Sequence, residues 1–172
     1  MATVRTLVRT QAHHSDGPSG MAGTLNRTLK ESVSDASFVT GVYGVLDPAT
    51  GQVAYANCGH DPPLHVRPCG ADVLSGRGPV LGVFEEAPFA SDTCRLAPGD
   101  RLVLYTDGVV ECTSASGEEF GLGRLQEVLV ASMGLTPSAV VQEVLRATRD
   151  FSGQSPCRDD FTLVVLGRSV TG

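Results

Sequence analysis

The run Leu102-Val103-Leu104-Tyr105 passes through Thr106 straight into Asp107 and Gly108, and a second apolar run, Leu163 to Leu166, begins shortly after Asp159 and Asp160. Neither run alternates polar with apolar residues, so neither has a side that suits water. Both read as interior strands. A chain with two such strands must build a sheet whose middle is covered, and helices are the available cover.

The flanking sequence supplies helices on both sides. In MATVRTLVRTQA, Met1, Val4, Leu7 and Val8 share one helical face, which predicts a helix from the first residue onward. HHSDGPSG reads as a turn-rich loop, and Met21, Leu25 and Leu29 at four-residue spacing predict a second helix ending near Val33. SFVTGVYGVL and QVAYANC flank the turn DPATG and predict a hairpin. PPLHVR, ADVLS and FASDTCRLA predict short strands between proline and glycine punctuation. Beyond Glu119, GLGRLQEVLVASMG and TPSAVVQEVLRATRDF predict two helices, the second with Thr136 as N-cap and Pro137 at the first helical position. Helices, then strands, then helices, then a strand make the chain α+β, with helices packed on largely antiparallel sheet.

A length of 172 residues, 41% hydrophobic, suits one domain spanning 1–172, with no internal repeat or linker. The net charge is −6, and Lys and Arg are scattered rather than striped, which excludes the usual nucleic-acid footprint. The same scarcity of basic residues disfavours an acid-rich nuclease site. Cys58, Cys69, Cys94, Cys112 and Cys157 are odd in number and lack C-x-x-C spacing. That pattern predicts reduced thiols in the cytoplasm, without a disulfide framework or zinc site. No apolar run reaches the ~18 residues of a membrane span, and the N-terminus lacks the apolar stretch of a signal peptide.

If the two apolar strands are antiparallel neighbours, the end of one lies beside the start of the other, about 5 Å away. Asp107 and Asp159 then converge. Two ionised carboxylates beside a core repel each other unless a cation sits between them. Oxygen ligands, a glycine at position 108 that permits close approach, and retained waters describe a site for Mg2+ or Mn2+. Such an ion lowers the pKa of the water it holds. Each motif also has a plainer reading: Asp107-Gly108 as a hairpin turn, and Asp159-Asp160 as a solvated loop end. His60 in NCGHDPPL is a general acid, a metal ligand or a loop histidine, and Asp61 is an extra acid near the site or a solvated one. His13 and His14 at a helix end read as answering the helix dipole rather than binding metal, and Glu111, Glu118 and Glu119 read as exposed loop charges.

Taken in order, ANCGHDPPL, GPVLGVF, LAPGDRLVLYTDGVVE, GEEFG and RDDFTLVVL resemble the sigma-factor-regulating branch of the PPM-type (type 2C-like) metal-dependent serine/threonine phosphatases, the stage II sporulation protein E family. The similarity runs over nearly all of the chain. It implies an α-β-β-α sandwich of two mostly antiparallel sheets and a binuclear Mn2+ or Mg2+ centre. It also implies hydrolysis of phosphoserine or phosphothreonine on a regulatory protein, commonly an anti-sigma-factor antagonist, by a metal-held water. By motif, Asp107 and Asp159 are similar to metal ligands, with Gly108 and Asp160 in support. The loop containing Glu118 and Glu119 lies in a family motif that could contact the phosphoprotein.

The family's Gly-Asp-Val-Ser-Gly-His-Gly-like segment, whose aspartate bridges both metals, does not occur in this sequence. The resemblance therefore implies an N-terminally incomplete domain lacking its first strand or strands, with an incomplete metal site and weak or absent activity. An uncovered sheet edge would invite self-association as a homo-dimer. Two functions fit: a phosphatase in bacterial partner-switching signalling, and an inactive phosphatase-fold binding module that retains the docking surfaces.

Overall fold

The elements run α1 (Ala2–Gln11), α2 (Gly17–Ser32), β1 (Gly41–Leu46), β2 (Gln52–Cys58), β3 (Leu64–Arg67), β4 (Gly70–Val73), β5 (Asp92–Arg95), β6 (Arg101–Tyr105), α3 (Asp107–Val110), α4 (Gly121–Ala131), α5 (Pro137–Phe151) and β7 (Leu163–Gly167). This computed structural model describes residues 2–11, 16–32, 38–153 and 159–169. His13, His14 and Val33 lie outside the described residues. Two antiparallel sheets and their helices make the protein α+β, and the chain falls into two compact units, residues 1–62 with 75–95 and residues 63–74 with 96–172. Among the described residues, no helix is long and apolar enough to cross a membrane.

In the first unit the four-residue spacing of Met21, Leu25 and Leu29 does what it predicts. All three are buried, with Ala56, Cys58 and Leu81 in the same cluster and Val4, Leu7 and Val8 of α1 packed against it. α2 begins earlier than the sequence suggests, because GPSG is helical rather than a loop. Pro18 explains the difference: its fixed φ suits the first helical turn, where an N–H has no intrahelical partner to lose. The sheet has the order β1-β2-β5, with β1 and β2 paired antiparallel so that Leu46 faces Val53. The DPATG turn is closed by Asp47, which accepts from the Ala49 N–H at 2.9 Å and the Thr50 hydroxyl at 2.7 Å. Buried Asn26 ties α2 to the GPVLGVF loop, donating to the Phe84 carbonyl at 2.8 Å and accepting from the Gly82 N–H at 2.9 Å.

The second unit holds a sheet in the order β4-β3-β6-β7, all antiparallel. Leu64, Val66, Val103 and Tyr105 point to one face, where Leu125 and Leu129 of α4 and Val140 and Val144 of α5 cover them. The expected Thr136 cap is present, accepting from the Ala139 N–H at 3.3 Å. β6 is interior, as its apolar run requires. β7 is not: among the described residues it pairs with β6 on one side only, and Val164 and Leu166 are 44% and 43% exposed. Period-two geometry turns Leu163 and Val165 toward the helical core and sends the residues between them to the other face.

Arg101 is 5% exposed and has carbonyl oxygens as its partners. It donates to Ser132 at 2.9 Å, to Met133 at 2.8 Å and to Leu135, gathering the carbonyls that follow α4. Cation at helix C-terminus is the favourable sense of the dipole interaction, although burial lowers the guanidinium's affinity for its proton. Next to it, the buried Asp100 carboxylate accepts from the Ala97 N–H at 2.9 Å and lies 2.8 Å from His65 Nε2.

Arg101→Met should destabilise the protein by about 3 kcal/mol, since the buried carbonyls lose their donor; urea unfolding measures it. Burial pushes the Cys58 thiol up to about 11 from its ordinary 9.0 and raises Cys94 and Tyr55 in the same sense. A raised folded-state pKa means stability is full below the unfolded value and lost as pH climbs through the folded one. Thermal stability should therefore decline between about pH 9 and pH 11, and less steeply in Cys58→Ala.

Candidate metal centre

The β6–β7 ladder builds this site. Its register pairs Tyr105 with Leu163, and the pairing continues one residue past the strand, where the Thr106 N–H donates to the Thr162 carbonyl at 3.0 Å. The Thr106 hydroxyl donates to the Asp160 carbonyl at 2.7 Å and accepts from the Thr162 N–H at 2.9 Å. Asp107 then begins the single helical turn α3. The hairpin reading of Asp107-Gly108 is thereby excluded: the chain enters a helix instead of reversing into a partner strand.

Gly108 lies against the main chain of the second acidic pair. A Cβ there would sit 2.7 Å from the Asp160 carbonyl oxygen and 3.2 Å from the Asp159 carbonyl carbon. The two segments thus touch through their backbones at a place where only glycine fits. Asp107 Oδ1 accepts from the Gly108 N–H at 2.8 Å, and Asp159 Oδ1 accepts from the Asp160 N–H at 2.8 Å. Each carboxylate keeps one oxygen on its own backbone, and both side chains are exposed. Asp160 contributes through its main chain, as donor to Asp159 and acceptor from Thr106.

The donors fit a hard cation that retains several waters, because they are oxygen only and solvent-accessible. Among the described residues, however, no group of three His, Cys, Asp or Glu side chains is placed to hold one ion. Asp107, Asp159 and Asp160 belong to the second unit and His60 to the first. His60 sits in a loop closed by buried Asn57, which accepts from its N–H at 2.8 Å and donates to its carbonyl at 2.9 Å. Its Nδ1 is 3.2 Å from the Asp61 carbonyl. A carbonyl only accepts, so Nδ1 carries the proton in that contact. Gly59 makes the loop's turn at φ 70, and a Cβ on it would lie 2.5 Å from Val80 Cγ1. Glu118 forms an ion pair with Arg124, whose guanidinium stacks 4.7 Å over the Phe151 ring, while Glu119 is exposed. Thr106 was within a recognisable motif, yet its hydroxyl contacts carry no local signal because both partners are more than fifty residues away.

The fold is that of the PP2C-type phosphatases. The SiaA-PP2C domain of Pseudomonas aeruginosa matches 96% of this chain and 66% of its own at a TM-score of 0.83 and 20% identity. The phosphatase domain of the cell fate determinant SpoIIE from Bacillus subtilis, presoaked with manganese, matches 98% of this chain and 74% of its own at a TM-score of 0.64 and 15% identity. The chain belongs to the stage II sporulation protein E (SpoIIE) family, whose profile matches residues 1–169. Among curated relatives, Protein IcfG of Synechocystis is 32% identical over 137 residues, 78% of this chain and 21% of that protein. Phosphoserine phosphatase RsbU of Bacillus subtilis is 31% identical over 157 residues, 89% of this chain and 46% of that protein. The chain thus spans less than half the length of either relative.

Gly108→Ala should cost about 1–3 kcal/mol, because the obstacle is backbone that cannot rotate away. Chemical denaturation checks the loss. Gly123→Ala, inside α4 and with nothing within 4 Å of the added atom, serves as the comparison and should lose nothing, gaining up to about 1 kcal/mol from helix propensity.

Proposed function

We propose that residues 1–172 act as one PPM-type phosphatase domain that hydrolyses phosphoserine or phosphothreonine on a regulatory protein. Its substrate in this reading is a phosphorylated anti-sigma-factor antagonist in cytoplasmic partner-switching signalling. The observation that carries the proposal is the joining of the Asp107 and Asp159 segments at the β6–β7 strand end. Membership of the family and likeness to a named phosphoserine phosphatase support it.

In this reading Asp107 and Asp159 hold Mn2+ or Mg2+, and Gly108, lacking a Cβ, admits the Asp160 main chain and so keeps the two acidic segments in contact. The cation, when bound, supplies charge neutralisation at phosphorus and a water of lowered pKa. Asp160 fixes Asp159 through its N–H. Water adds to phosphorus, the serine or threonine oxygen leaves and takes up a proton, and inorganic phosphate is released. The second reading is an inactive binding module, suggested by the absence of the bridging-aspartate segment from this sequence. Association of two copies at the β7 edge would be compatible with either reading.

Supplied with Mn2+, the 172-residue chain should release phosphate from a phosphoserine peptide or p-nitrophenyl phosphate only weakly, because the bridging-aspartate segment is absent from its sequence. Asp107→Asn should lower that rate at least tenfold, roughly the loss seen when only an orienting neighbour is removed. Tight binding of the phosphorylated antagonist with no turnover would establish the binding module instead.

A further inference from the structure

We infer that Thr106 is the positioning residue of the metal centre, the side chain that holds the Asp159–Asp160 segment beside Asp107. The inference rests on the metal reading given above and adds to it a group that neither binds the ion nor touches the substrate.

Thr106 occupies the N-cap position of α3 with extended backbone angles, φ −93 and ψ 160. A threonine there ordinarily turns its oxygen to an N–H of the first helical turn. This one makes no such cap bond. Its hydroxyl crosses to the segment leading into β7, donating to the Asp160 carbonyl at 2.7 Å and accepting from the Thr162 N–H at 2.9 Å. The same residue's backbone N–H donates to the Thr162 carbonyl at 3.0 Å.

Three bonds from one residue therefore fasten the two segments at the point where the regular ladder has ended. β7 starts only at Leu163, so without the hydroxyl the segment carrying both acids would be tied by the Thr162 carbonyl alone in this set. The Thr106 hydroxyl bonds the main chain of residues 160 and 162, leaving the Asp159 carboxylate free of it. Asp159 in turn keeps Oδ1 on the Asp160 N–H, across a single Cα from the carbonyl that Thr106 holds, so the clamp restrains the residue to which the carboxylate is bonded. Groups that orient ligands in this way commonly change metal affinity by about 10–100-fold when removed.

Thr106→Val keeps the branched shape and removes the hydroxyl, whereas Thr106→Ser keeps the hydroxyl and removes a methyl group. Thr106→Ala, with no β-branch to conflict with the packing, is measured in parallel. All are compared as full 172-residue chains by calorimetric titration with Mn2+ and by amide hydrogen exchange at Thr162. Val and Ala should weaken Mn2+ binding about tenfold and speed Thr162 exchange about fivefold, with Ser within about twofold of wild type in both. Wild-type Mn2+ affinity in the Val and Ala variants, or a Ser variant as impaired as Val, would overturn the inference. Failure of the wild-type chain to bind Mn2+ would refute the metal reading itself, and unchanged Thr162 exchange would then refute the clamp separately.

Discussion

The antiparallel pairing of β6 with β7 is the constraint on which the candidate site depends. It brings together segments 54 residues apart in the chain, and it does so with main-chain hydrogen bonds whose spacing leaves little freedom at the strand ends. An aspartate on a loop would wander over several ångströms. Placed two residues beyond a buried strand, it inherits the stiffness of the sheet.

That stiffness is maintained from the helical side. α4 and α5 cover the face formed by Leu64, Val66, Val103 and Tyr105, and the guanidinium of Arg101 secures the chain that follows α4. Arg101 is the first residue of β6 and Tyr105 the last, so one strand carries the residue that organises the helices at its start and delivers the candidate ligand just past its end. Stability of the unit and geometry of the site are thus linked through five residues. A lost donor at one end would be expected to act on the other through the strand's register.

Periodicity in the sequence identified the helices well because burial of Met21, Leu25 and Leu29, or of Val140 and Val144, follows from local spacing alone. The strands were equally recognisable, and the hairpin turn followed from DPATG. Reading β7 as interior failed for an instructive reason. An apolar run reports that its residues avoid water on average, whereas edge or centre depends on which strands pair, and Leu163 to Leu166 contain no record of that. GPSG misled in a similar manner, since glycine and proline mark both a loop and the first turn of a helix.

The acids themselves were visible, each beside an apolar run, but their meeting was a conditional inference that required the two strands to be neighbours. Asn26, Arg101 and the Thr106 hydroxyl were not visible as linchpins, because each is defined by backbone partners remote in sequence and backbone groups are chemically the same at every residue. The amino-acid sequence by itself determined the α+β class, the helical faces, the family likeness and the identity of the candidate ligands, all of which depend on side-chain type and spacing. Only the tertiary structure decided which strands pair, which of them lies at an edge, and which polar side chains hold the acidic segments in place, because those outcomes depend on long-range hydrogen bonding between main-chain atoms that carry no sequence signature.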